Sequence, residues 1–146
     1  MAGPLTAAAV ITFVGELEAA SAAFYEALAA RFPAQGAAFA EYARTCRANA
    51  TLVQRTYQET VTDALETGYA FPGLDLGRYA LDTALPAGLD LAGARAQARA
   101  LEATCAACYE ELATLSHGLL ATIPRAFRRA GQKRQGIAAA LAADGG

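Results

Sequence analysis

Charge is scarce in this chain of 146 residues: 18% of the residues are charged and the formal net charge is −2. A field that weak draws in neither nucleic acid nor an anionic membrane surface, so neither is expected as a partner. Hydrophobic residues reach 55%, which excludes intrinsic disorder. β-branched residues are sparse beside alanine, leucine, glutamate and arginine, a balance that favours helix over sheet. The opening segment MAGPLTAAAVITFV lacks a basic stretch, and its apolar run soon meets Glu16 and Glu18. It reads as the start of a helix rather than a signal peptide or a membrane span. A cytoplasmic location is therefore expected, with Cys46, Cys105 and Cys108 as reduced thiols rather than a disulfide framework. The sequon at Asn49 would be idle there.

Apolar positions recur at steps of three and four along four stretches. The first stripe runs through Val14, Glu18, Ser21, Tyr25 and Leu28, the second through Phe39, Cys46, Asn49 and Val53. The third runs through Ala98, Glu102, Cys105, Tyr109 and Leu112, the fourth through Phe127, Gly131, Arg134 and Leu141. The spacing predicts helices over about 5–32, 36–64, 90–118 and 123–142, with Pro33 stopping the first and Pro124 suited to the first turn of the last. The short connections make each consecutive pair an antiparallel hairpin. Residues 65–89, rich in Gly and Pro, are long enough to run the length of a bundle, and GRYALDTA is a candidate short helix within them. The expected fold is a single all-α domain over 1–146, an antiparallel four-helix bundle of two hairpins joined by a long crossover.

The chain also repeats itself. LEAASAAFYEALA at 17–29 aligns without a gap on LEATCAACYEELA at 101–113. After one inserted residue, Phe39–Val53 aligns loosely on Pro124–Ala138. A duplicated hairpin gives pseudo-twofold symmetry, which sets Glu18 and Glu102 opposite each other near the axis.

The doubled phrase, the two hairpins and the long crossover resemble the ferritin-like superfamily, most closely its rubrerythrin-type members, over nearly the whole chain. In that family two helices each give one Glu, the other two each give a Glu-x-x-His pair, and together they hold two iron or manganese ions. Glu18 and Glu102 match the single glutamates. The Glu-x-x-His positions hold Cys46-x-x-Asn49 and Gly131-x-x-Arg134, and the one histidine, His117, lies away from both. The resemblance thus implies a degenerate di-iron site in which Arg134, a permanent cation, replaces the metal charge and pairs with Glu18, Glu102 or both. Two carboxylates against one guanidinium leave an excess negative charge, so one glutamate is expected to hold a proton.

Other readings of the same residues stay open. Tyr25 and Tyr109 are core tyrosines whose hydroxyls find a carboxylate, or, by the resemblance, groups that hydrogen-bond a ligand or relay an electron. Cys105-x-x-Cys108 lies inside a helix, out of context for a thioredoxin-type motif, and only Cys105 falls squarely on the core stripe. Buried hydrophobic thiols are the plain reading. A metal site of Glu18, Glu102, Cys46 and Cys105 is the alternative, with thiolates shifting its preference from iron or manganese toward zinc or copper. Arg125, Arg128 and Arg129 make a solvated face that could pair with an acid such as Glu41, or contact a phosphate or an acidic protein, although basic residues in a helix's first turn oppose its dipole. His117 is expected at the surface near a helix end. Two functions compete: a binding or assembly protein without cofactor, acting as a homodimer or with a protein partner, and a metal-dependent oxidoreductase with an altered Glu/Cys site.

Overall fold

A computed structural model describes residues 5–60, 70–71, 73–116 and 122–144. Within them the fold is the expected one: an antiparallel four-helix bundle of two hairpins. Helix α1 (Ala7–Arg31) and α2 (Gly36–Thr60) form the first hairpin, α3 (Leu91–Leu115) and α4 (Thr122–Asp144) the second.

The ends follow local chemistry. Thr6 caps α1 by accepting from the Ala9 N–H at 3.1 Å, and Asp90 caps α3 by accepting from the Gly93 N–H at 2.7 Å. Pro33 opens a single 3₁₀ turn, Pro33–Gln35, that reverses the chain into α2. Helix α1 begins two residues later than the periodicity suggested. Leu5–Thr6 (β1) instead pairs antiparallel with Ala70–Phe71 (β2), Leu5 opposite Phe71 and Thr6 opposite Ala70. That bridge brings the buried Phe71 into the core.

The candidate crossover helix shrinks to one 3₁₀ turn, Leu76–Tyr79, capped by Asp75. Beyond it the chain is irregular, and side chains of the helices donate to its carbonyls. The Gln97 amide donates to the Asp82 and Ala84 carbonyls at 3.1 and 2.7 Å, and Arg31 donates to those of Pro86 and Ala87, both at 2.6 Å. Those four bonds strap the crossover to both hairpins. The expected extension of α2 to residue 64 and of α3 to 118 lies outside the described residues.

Val10, Val14, Leu28, Phe39, Leu112 and Phe127 anchor a continuous buried core. By length and apolarity α1 would also suffice to cross a bilayer; 44% of its most apolar stretch is buried within the fold, Val10, Val14, Leu17 and Leu28 among the buried residues. Backbones approach closely within each hairpin and between α2 and α4, and hardly at all between α1 and α3. Bulky polar side chains fill that wider gap.

Helix α4 contains two glycines with opposite surroundings. A Cβ at Gly136 would meet nothing within 4 Å, whereas one at Gly131 would stand 3.1 Å from the Tyr109 Cβ. Gly136→Ala should therefore raise stability by about 1 kcal/mol from helix propensity alone. Gly131→Ala should lose that gain to crowding against Tyr109. Urea unfolding of the two variants decides it; equal gains at both positions would mean that Tyr109 yields freely.

Candidate functional site

The wider gap holds a polar cluster. Helix α1 contributes Glu18, Ser21 and Tyr25, on one face at steps of three and four, and α3 contributes Glu102, Cys105 and Tyr109 at the same steps. Helix α2 adds Cys46 and Asn49, and α4 adds Arg134. All nine side chains are 0% exposed.

Arg134 sits at the centre. Its Nη1 donates to Glu18 Oε1 at 2.8 Å and to the Cys46 thiol. Its Nη2 donates to Ser21 Oγ at 3.0 Å and Cys105 Sγ at 3.2 Å. Nε lies 2.8 Å from Glu102 Oε1, near enough for strong attraction. Its N–H is turned off that line, so the contact is an ion pair without a hydrogen bond, and both atoms lack a hydrogen-bond partner. The tyrosines work crosswise. Tyr25 of the first repeat donates to Glu102 of the second at 2.5 Å, and Tyr109 of the second donates to Glu18 of the first. Asn49 Nδ2 reaches Glu18 Oε2 and the Ala130 carbonyl, both at 3.2 Å, and ties α2 to α4.

The repeat explains this layout. Glu18 and Glu102, Ser21 and Cys105, and Tyr25 and Tyr109 are related pairs on the two helices that face the gap, and Ser21 and Cys105 meet across it at 3.8 Å. Asn49 and Arg134 are also related, and both bind Glu18. Gly131, the counterpart of Cys46, bears no side chain because Tyr109 occupies its space.

Burial dominates the electrostatics. It pushes Glu102 up to about 7 against the pull of Arg134 and the Tyr25 hydrogen bond, with Glu18 adding to the rise. Burial also raises Glu18, opposed first by Arg134, then by Tyr109, Asn49 and Cys46. Cys105 rises to about 12 and Cys46 farther still, again by burial, so both thiols are neutral at pH 7. Burial works against the charge of Arg134, but its neighbours overcome this and hold it well above the usual range. The carboxylates supply that support, since the thiols stay protonated.

The donor set does not fit a two-metal centre. A dication placed between Glu18 and Glu102 would meet a guanidinium already 2.8 Å from each of them. The two thiols would have to ionise against burial. Among the described residues no group of three or more His, Cys, Asp or Glu side chains is placed to hold a metal ion. The geometry thus brings Glu18, Glu102, Cys46 and Cys105 together as expected, but around Arg134. A groove of about 420 Å³ between α3 and α4 includes Tyr109 and Gly131 in its lining, and so backs onto the cluster.

Two other expectations change, and a third lies outside the described residues. Cys108 is as fully buried as Cys105 and is pushed up to about 12 by burial. The crossover covers a second side of α3, as the buried Tyr79 and its bond to Glu111 mark. Glu41 does not serve the arginines of α4. It pairs with Arg44, one turn away on its own helix. His117 lies outside the described residues. Ser21 was legible as a stripe position but not as a member of the site. Its place directly opposite Cys105 in the repeat was the available signal. The chain matches no protein-family profile, no curated protein and no solved structure.

Two outcomes follow from the charge balance. Arg134→Leu should cost about 3–5 kcal/mol in urea unfolding, because it strands two buried carboxylates. Adding Glu18→Gln and Glu102→Gln to that chain should recover most of the loss; no recovery would make Arg134 a matter of shape rather than charge. The second outcome concerns pH. The folded state holds the Glu102 proton more tightly than the unfolded chain, whose carboxyl sits near 4.5. The resulting stability is fully present below about pH 4.5 and is lost as pH rises to about 7, on the order of 3 kcal/mol in all. Glu102→Gln should flatten this slope, leaving the part due to Glu18. An unchanged slope would show that Glu102 is ionised throughout.

Proposed function

We propose that this chain is a bundle of ferritin-like design that has given up di-metal chemistry and works as a binding or assembly protein. One observation carries the reading: the Arg134 guanidinium lies 2.8 Å from both Glu18 and Glu102. A fixed cation there supplies the charge that metals would supply, without redox chemistry or an open coordination position. The polar core then holds the two hairpins in register, and function moves to the surface. A cytoplasmic location and pairing with a second copy or another protein belong to the same proposal. Three free, buried thiols agree with a reducing compartment. The exposed Ala139, Ala142 and Ala143 near the end of α4 offer a small-residue face to a partner.

The convergence of Cys46 and Cys105 on the glutamates favours one rival: an oxidoreductase with an altered Glu/Cys metal site, in which Arg134 swings aside. Elemental analysis with thermal shift across iron, manganese, zinc and copper separates the two. The binding reading expects no stoichiometric metal and an unfolding temperature that added metal leaves unchanged. One or more metal ions per chain, lost in Glu102→Ala, would establish the rival.

A further inference from the structure

The exposed face of α4 carries Arg125, Arg128, Arg129 and Lys133. None of the four has an ion-pair partner among the described residues. Three of them, Arg125, Arg128 and Arg129, line a groove of about 630 Å³ between α2 and α4, whose floor includes Leu52 and Ala126. That volume is the size of a small-molecule site. Glu59 is the one acid in the lining, and it forms no salt bridge with any of the three. Three guanidiniums and one carboxylate give the groove a charge of +3 − 1 = +2.

Contacts among the described residues give no reason for this arrangement. Three like charges crowd the first two turns of α4, where the helix dipole already presents its positive end. They repel one another and the dipole, and no acid among the described residues pairs with them. A ligand that brought two negative charges would. Guanidinium is also the side chain best matched to phosphate oxygens, through paired N–H donors.

Resting on the binding role proposed above, we propose that the α2–α4 groove binds a phosphate monoester with an apolar body. The monoester carries close to two negative charges at pH 7, matching the groove. The arginines take the phosphate, and Leu52 and Ala126 take the body. Sulfate esters, with a single charge, fit less well.

Calorimetric titration of the intact chain with phenyl phosphate tests this. One molecule should bind per chain, roughly tenfold or more tighter than phenyl sulfate or inorganic phosphate. The double variant Arg128→Gln/Arg129→Gln should lose about tenfold or more in affinity. Its unfolding temperature should stay level or rise, since exposed, mutually repelling charges are removed. Lys133→Gln, outside the lining, should bind as the parent does. No saturable binding at millimolar phenyl phosphate, equal affinity for phenyl sulfate, or an unchanged affinity in the double variant would each overturn the site. Metal in the core would defeat the preceding reading and leave this titration unaffected; failure of the titration would leave the metal analysis untouched.

Discussion

One guanidinium facing two carboxylates, all three fully buried, constrains the rest of the molecule. Each acid would cost several kcal/mol if left alone in this interior. Arg134 makes both tolerable, and to do so it needs a particular geometry. Its helix must bring the side chain to the level of Glu18 and Glu102, and α2 must stand close enough for Cys46 and Asn49 to join. An ion triad of this kind contributes little net stability compared with leucines of the same volume. The use we infer for it is selectivity among packings. A bundle of alanine-rich helices has many near-equivalent registers, and a one-turn slip here would separate a buried charge from its partner.

The tyrosines complete the accounting of polar atoms. Tyr25 and Tyr109 span the gap between α1 and α3 and end on carboxylate oxygens that Arg134 does not reach. Ser21 and Cys105 fill the remaining space beside Nη2. The balance is still imperfect. Nε and Glu102 Oε1 approach without a hydrogen bond, and Asn49 Oδ1 has no hydrogen-bond partner. The raised Glu102 is the electrostatic counterpart of that imperfection: one positive charge serves two acids.

Much of this was legible because the chain states it twice. The steps of Glu18, Ser21 and Tyr25 repeat in Glu102, Cys105 and Tyr109, so the helices, their inward faces and the opposition of the glutamates followed from pattern alone. The resemblance put Arg134 at a ligand position and its charge called for an acid, Glu18, Glu102 or both; the structure has both. What pattern could not reach was anything set by the crossover. The β1–β2 bridge, the burial of Cys108 and the reduction of the expected short helix to one turn all depend on where an irregular segment lies against the bundle. Periodicity has no purchase on such a segment. The partner of Glu41 was misplaced for a similar reason: an arginine one turn along the same helix was nearer than any on α4.

The crosswise tyrosine bonds also bear on how the chain comes to be folded. Neither hairpin contains the hydroxyl that its own glutamate requires; each holds the one its sibling needs. A solitary hairpin would have to keep its acid in water and leave its aromatic ring unmoored. The two halves are thus mutually obligate, and the native state should arise in a single cooperative step rather than hairpin by hairpin. Each half of the repeat is thus incomplete without the other.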